Sequence, residues 1–113
     1  MNVIENDIHA LIEKELRGAN ERFPLFASMH EAYAVISEER DEAALELDVM
    51  TGLLSSAWRK IKTNNPDAMI YLRQMKRVAE KLAVEACQVA AMCEKVSQSA
   101  AEWDERTMMR LDR

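Results

Sequence analysis

Residues 36–46 read ISEERDEAALE, a helix-forming stretch in which four glutamates, Glu38, Glu39, Glu42 and Glu46, stand beside Ile36, Ala43 and Leu47. At about 100° per residue, Glu39 and Glu46 fall within about 20° of one another and Glu42 about 60° away. The acidic arc therefore abuts the apolar stripe that a packed helix turns inward, and partly overlaps it, with Glu39 facing most inward. Desolvated carboxylates are costly, and like charges this close oppose one another. Two compensations are available. One is a hard divalent cation such as Mg²⁺, which takes oxygen ligands spaced i, i+3 on a rigid helix and keeps positions open for water and phosphate. The other is solvent, with Arg40 and other basic side chains pairing at the surface.

The flanking sequence sets the limits of this helix. Ser28 and Glu31 form the spacing of a reciprocal cap, so the helix is expected to begin near Met29. Its stripe, Ala32, Ile36, Ala43, Leu47, Met50, Leu54, Ala57 and Ile61, runs to about residue 62, with Thr51-Gly52 marking a place for a kink. Asn65 and Pro66 then suit the cap and first position of a following helix. Upstream, Ile4, Ile8, Leu11, Ile12, Leu16 and Ala19 predict a helix over residues 3–20, closed by Phe23-Pro24. Downstream, neither Gly nor Pro occurs from residue 67 to 98, and Leu72, Met75, Ala79, Leu82, Ala86, Val89, Cys93 and Val96 step by threes and fours. That predicts a coiled-coil-like seam on a helix about 50 Å long, with residues 75–80 as the place for a bend. The tail 99–113 is expected to continue as helix, with Trp103 as a packing anchor.

Composition agrees with this layout. Of 113 residues, 49% are hydrophobic and 31% charged, with two Gly and two Pro. This is the balance of an all-α chain: one domain over residues 1–113, an antiparallel helical bundle of long helices with its core at about 19–98. A chain this short gains from burying apolar surface against a partner, so a homodimer or homotetramer is expected. A net charge of -5 and the lack of a Lys/Arg cluster argue against a nucleic acid polymer as partner. No apolar run approaches the roughly 20 residues of a membrane span, and the acidic N-terminal segment is unlike a leader, which points to a cytoplasmic protein. Cys87 and Cys93, six apart, point about 120° away from each other on one helix and cannot form a mutual disulfide. With His9 and His30 remote, zinc lacks ligands, and both thiols are expected to be packing residues.

A buried cation needs acidic oxygens from a second helix. Glu85, between Leu82, Ala86 and Val89, is the candidate, and Gln88 follows at i+3. Small Ala83, Ala86, Ala90 and Ala91 would allow close approach of the two helices.

HEAYAVISEERDEAALEL (residues 30–47) and EACQVAAM (residues 85–92) together resemble the MazG-like branch of the all-α nucleoside triphosphate pyrophosphohydrolases, in particular its phage and prophage type. The resemblance spans roughly residues 19–96. The family pattern is a Glu-x-x-Glu pair on one helix, often preceded by another Glu, and a Glu-x-x-Asp pair on a second. Here these positions are Glu39 and Glu42, with Glu38 preceding, and Glu85 and Gln88. Gln88 stands where many members have Asp, which keeps a carbonyl oxygen but removes a charge and should weaken or reposition one ion; Glu38 or Glu46 can supply the missing charge. The interval between the two blocks is also longer than in compact members.

The implied reaction is Mg²⁺-dependent cleavage of a nucleoside triphosphate between the α and β phosphates, with Mn²⁺ as substitute ion. The resemblance makes Glu39, Glu42 and Glu85 the primary metal ligands, Gln88 an auxiliary ligand, and Glu38 a further ligand or the catalytic base. Arg77 and Lys81 are the candidates for the distal phosphates, and Phe23, Phe26, Tyr33 and Trp58 are the aromatic side chains available for stacking the base. The competing expectation is a catalytically silent helical oligomer that binds nucleotides or proteins.

Overall fold

The computed structural model describes residues 2–111, with side chains as far as residue 106. The described residues are all-helical, without strands, in three elements: α1 (Asn2–Arg22), α2 (Met29–Ile61) and α3 (Ala68–Leu111). The tail expected to be helical is so through Leu111, and residues 112 and 113 lie outside the described residues. Neither Thr51-Gly52 nor residues 75–80 interrupts a helix.

Local chemistry explains each boundary. The α1 ladder ends with the Phe23 amide on the Ala19 carbonyl at 2.9 Å, immediately before Pro24. At the start of α2, Ser28 Oγ accepts from the Glu31 amide at 3.2 Å, while Glu31 Oε2 accepts from the Ala27 amide at 3.3 Å. The return bond thus reaches one residue further back than in the usual reciprocal cap. Helix α2 closes in a Schellman arrangement, in which the Asn65 amide donates to the Lys60 carbonyl at 2.9 Å and the Asn64 amide to Ile61 at 3.0 Å. Asn64 takes the left-handed conformation this requires, with φ of 53°. Asn65 Oδ1 then accepts from the Asp67 amide at 2.9 Å, capping the turn that leads into α3.

The chain divides into two compact units, Met1–Glu39 with Cys87–Arg113, and Arg40–Ala86. In the first, Phe26 of the α1–α2 connector is held by three side chains of α3 spaced four apart. Ser99 Oγ accepts from the Phe26 amide at 2.9 Å and donates to the Lys95 carbonyl at 2.8 Å. Trp103 Nε1 donates to the Phe26 carbonyl at 2.9 Å, and Lys95 Nζ lies 5.0 Å from the Phe26 ring centre. Trp103 is therefore the anchor expected of it. Leu16, Ala32 and Ala91 complete the buried centre of this unit, and Asn20 Nδ2 donates to Gln98 Oε1 at 2.9 Å. Of the stripe expected on α1, Ile4, Ile8 and Leu11 are exposed, as is Val3, because α3 packs on the later turns around Leu16 and Asn20.

In the second unit α2 and α3 run antiparallel: Glu46 meets Lys81, and Glu42 meets Glu85, one helix ascending as the other descends. Its buried apolar residues are the small Ala57 and Ala68.

The expected stripes hold at Ala32, Ile36, Ala43, Met50 and Ala57 on α2 and at Leu72, Met75, Leu82, Val89 and Val96 on α3, and need a correction elsewhere. On α2 the less exposed positions are 32, 35–37, 39, 43, 44, 46, 50, 53, 56, 57 and 60, and on α3 they are 68, 71, 72, 75, 78, 82, 85, 87–92, 95, 96, 99, 100 and 103. Each set contains a run that steps by threes and fours, 36, 39, 43, 46, 50, 53, 57 and 60 on α2 and 71, 75, 78, 82, 85, 89, 92, 96, 99 and 103 on α3, as a packed seam requires. Leu47, Leu54 and Ile61, expected inside, are instead exposed, and so are Ala79, Ala86 and Cys93. Each lies one residue beyond the inward position. The inward positions are taken in part by Glu39, Glu46, Lys60 and Glu85, which a search for apolar residues passes over. Cys93 is consequently a free surface thiol, whereas Cys87 is half-buried.

Ser99 is fully buried, and replacing it by Ala leaves the Phe26 amide without its acceptor. Ser99→Ala should cost about 1–3 kcal/mol of stability, measured as a lower urea midpoint with an unchanged slope.

Candidate functional site

The second unit holds a compact set of opposed charges. Lys81 Nζ lies 2.9 Å from Glu46 Oε1, and the Glu46 side chain is only 13% exposed against 63% for Lys81. The hydrogen bond and the charge of Glu46 hold the Lys81 ammonium above its ordinary pKa. One turn further along α3, Glu85 faces Glu42. Partial burial, then the charge of Glu42 and a hydrogen bond to it, push the Glu85 carboxyl above the ordinary value of 4.5, with Lys81 opposing.

Glu42 is the common neighbour of two further carboxylates. An oxygen of Glu42 lies within 4.8 Å of one on Glu85 and of one on Glu39, the residue a turn earlier on the same helix. Oxygen-only donors at this separation are the chemistry of a hard cation. Glu42 is exposed, while Glu39 and Glu85 are half-buried.

The first unit contains a cavity of about 420 Å³ whose lining lies wholly within that unit. Glu39 and Gln88 both line it, and its remaining wall combines Phe23, Pro24, Phe26, Val35, Ala91 and Met92 with Glu15, Glu31, Arg22 and Lys95. Lys95 is 2% exposed. Burial pushes its amine below the ordinary lysine range, and the charge of Glu31 partly restores it.

Glu39, Glu42 and Glu85 are thus each placed beside at least one other expected ligand, and Gln88 shares a cavity wall with Glu39. Glu38 is exposed, about 100° round the helix from Glu39, and is not one of the three clustered carboxylates. Arg77 is exposed two turns before Glu85. Lys81 is engaged by Glu46, so the charge of Glu46 is already balanced. Of the four aromatic candidates, Phe23 and Phe26 line the cavity. Tyr33 is 74% exposed, and Trp58 is an exposed ring with Lys62 Nζ 6.0 Å from its centre.

Lys95 was not among the residues singled out from sequence. A signal for it exists in the spacing of Lys95, Ser99 and Trp103 at i, i+4 and i+8, which puts three hydrogen-bonding side chains on one helical face.

No family model matches the chain, and comparison with curated proteins and with solved structures likewise gives no match.

Because folding raises the pKa of Glu85, its contribution to stability is complete below the ordinary carboxyl range and is lost as pH rises through the raised value. Glu85→Gln should therefore give a metal-free protein with a higher Tm than the parent at pH 8. The difference should vanish toward pH 4, as followed by helical circular dichroism across that range.

Proposed function

We propose that this chain is a metal-dependent nucleoside triphosphate pyrophosphohydrolase that cleaves between the α and β phosphates. The observation that carries the reading is the approach of Glu42 to both Glu85 and Glu39. Carboxylates held this close without a cation between them oppose folding, and an all-oxygen donor set suits Mg²⁺. The motif resemblance supplies the reaction class.

In this reading Glu39, Glu42 and Glu85 hold the ion, and Gln88 offers an amide oxygen one turn beyond Glu85. When bound, Mg²⁺ supplies the charge balance that lets a triphosphate approach carboxylates, and it polarises the α-phosphoryl group. Glu46 and Lys81 lock α2 to α3 one turn from Glu42 and Glu85, which fixes the spacing of that carboxylate pair. Glu38, on the solvent side of its turn, orients the attacking water, and Arg77 meets the distal phosphates.

The second unit supports the expected self-association. Its buried apolar residues are small, while Leu47, Leu54 and Ile61 form a seven-residue repeat on the outer face of α2, each more than 40% exposed. Such a row is what a neighbouring helix covers.

A second reading, a silent nucleotide-binding oligomer, is favoured by one residue, Gln88, which lacks the charge of the family's usual Asp.

Incubation with Mg²⁺ and a panel of triphosphates should release pyrophosphate and not orthophosphate. Glu39→Gln should lower kcat by about 100-fold or more, at or beyond the 10- to 100-fold typical of outer-shell partners, with helicity intact. Inactivity across the panel, without a Mg²⁺-dependent rise in Tm, would favour the silent module. Light scattering should give a multiple of the 12.9 kDa chain mass, and Leu54→Glu should shift it toward the monomer.

A further inference from the structure

We infer that the cavity of the first unit is a nucleobase pocket, in which Lys95 Nζ donates a hydrogen bond to a carbonyl oxygen of the base and the Phe23 ring stacks on its face. The inference takes its ligand class from the triphosphate reading above, while its geometry stands on the first unit alone.

Four observations lead there. First, Lys95 is a charged side chain withdrawn from solvent, at 2% exposure, yet it forms part of a cavity wall. A buried amine is costly unless its donors are satisfied, and lysine can only donate when charged. The Phe26 ring at 5.0 Å and the charge of Glu31 offset part of that cost. An oxygen acceptor inside the cavity offsets more.

Second, the amine is held in place. The Lys95 carbonyl accepts from Ser99, and Ser99 and Trp103 fix the backbone of Phe26 beneath the amine. Such preorganisation lowers the ordering cost of binding.

Third, Phe23 is 64% exposed and still lines the cavity, beside Pro24, which stiffens the connector. An exposed aromatic at a cavity edge is a stacking surface for a planar ring. Fourth, the volume of about 420 Å³ falls in the range of small-molecule sites, roughly 300–1,000 Å³.

Charge then selects among planar ligands. Glu15, Glu31 and Glu39 line the same cavity and oppose an anion, whereas Arg22 and Lys95 oppose a cation. A neutral heterocycle remains, with an acceptor for Lys95 and donors for the carboxylates. Cytosine and guanine carry both a carbonyl and an exocyclic amine. Adenine has no carbonyl, and uracil has no exocyclic amine.

Binding of cytidine, guanosine, uridine and adenosine, each without phosphate and without Mg²⁺, tests this by titration calorimetry. Cytidine or guanosine should bind about 10-fold or more tighter than adenosine, the factor expected for one charge-assisted hydrogen bond. Lys95→Met should abolish that preference, and Phe23→Ser, at an exposed position, should weaken all four by about 5-fold or more while keeping their order. Should Lys95→Met fail to fold, Phe23→Ser decides. Equal binding of adenosine, no binding of any nucleoside, or an unchanged order in Lys95→Met would overturn the inference. Nucleoside binding without pyrophosphate release leaves the pocket standing and removes the hydrolase reading. Pyrophosphate release with equal kcat/KM for all four bases removes the pocket and leaves the hydrolase.

Discussion

The first unit depends on one clasp. Phe26 sits in a connector that Pro24 prevents from being helical, so its amide and carbonyl have no ladder to join. Both are satisfied from α3, by Ser99 and Trp103, and the ring is covered by Lys95. A buried backbone group without a partner costs as much as a lost hydrogen bond, so this connector is stable only against that face of that helix. The spacing at 95, 99 and 103 selects the contact. Because few large apolar residues are buried, directional bonds carry more of the specificity here than area does.

In the second unit a different constraint operates. Inward positions on both helices are occupied by carboxylates, and the structure treats them unequally. Glu46 is matched with Lys81, so its burial is compensated within the chain. Glu85 is set against Glu42, with the charge of Lys81 opposing. On the proposed reading, the carboxylate pair at Glu42 and Glu85 is the place where a cation would enter the seam.

Much of this was legible in the sequence where backbone chemistry is local. The Ser28 and Glu31 cap, the stop at Pro24 and the Asn65-Pro66 restart are each set by a few adjacent residues, and all appear within one or two positions of expectation. The pairing of Glu42 with Glu85 was also readable, because both fall at helical spacing beside apolar neighbours. At Leu47, Leu54, Ile61, Ala79, Ala86 and Cys93 the expected stripe falls one residue beyond the inward position, for a physical reason. A stripe drawn through apolar residues avoids Glu46, Lys60 and Glu85, and slides to Leu47, Ile61 and Ala86. In a seam that carries charge, the position matters more than the side chain's polarity. Lys95 escaped notice for the same reason, since its burial depends on Phe26, a residue 69 positions away in sequence.

Gln88 follows from this division between the units. It lies one turn after Glu85 and lines the cavity with Glu39 and Lys95. An acid at that position would add a fourth carboxylate to a wall that already carries Glu15, Glu31 and Glu39. The wall would then carry four carboxylates against the two cations Arg22 and Lys95. An amide there keeps an oxygen for a metal and offers both donor and acceptor to a neutral ligand. Under the proposed reading, Gln88 thus leaves the cavity wall with less negative charge than a carboxylate there would, while keeping an oxygen that a metal could use.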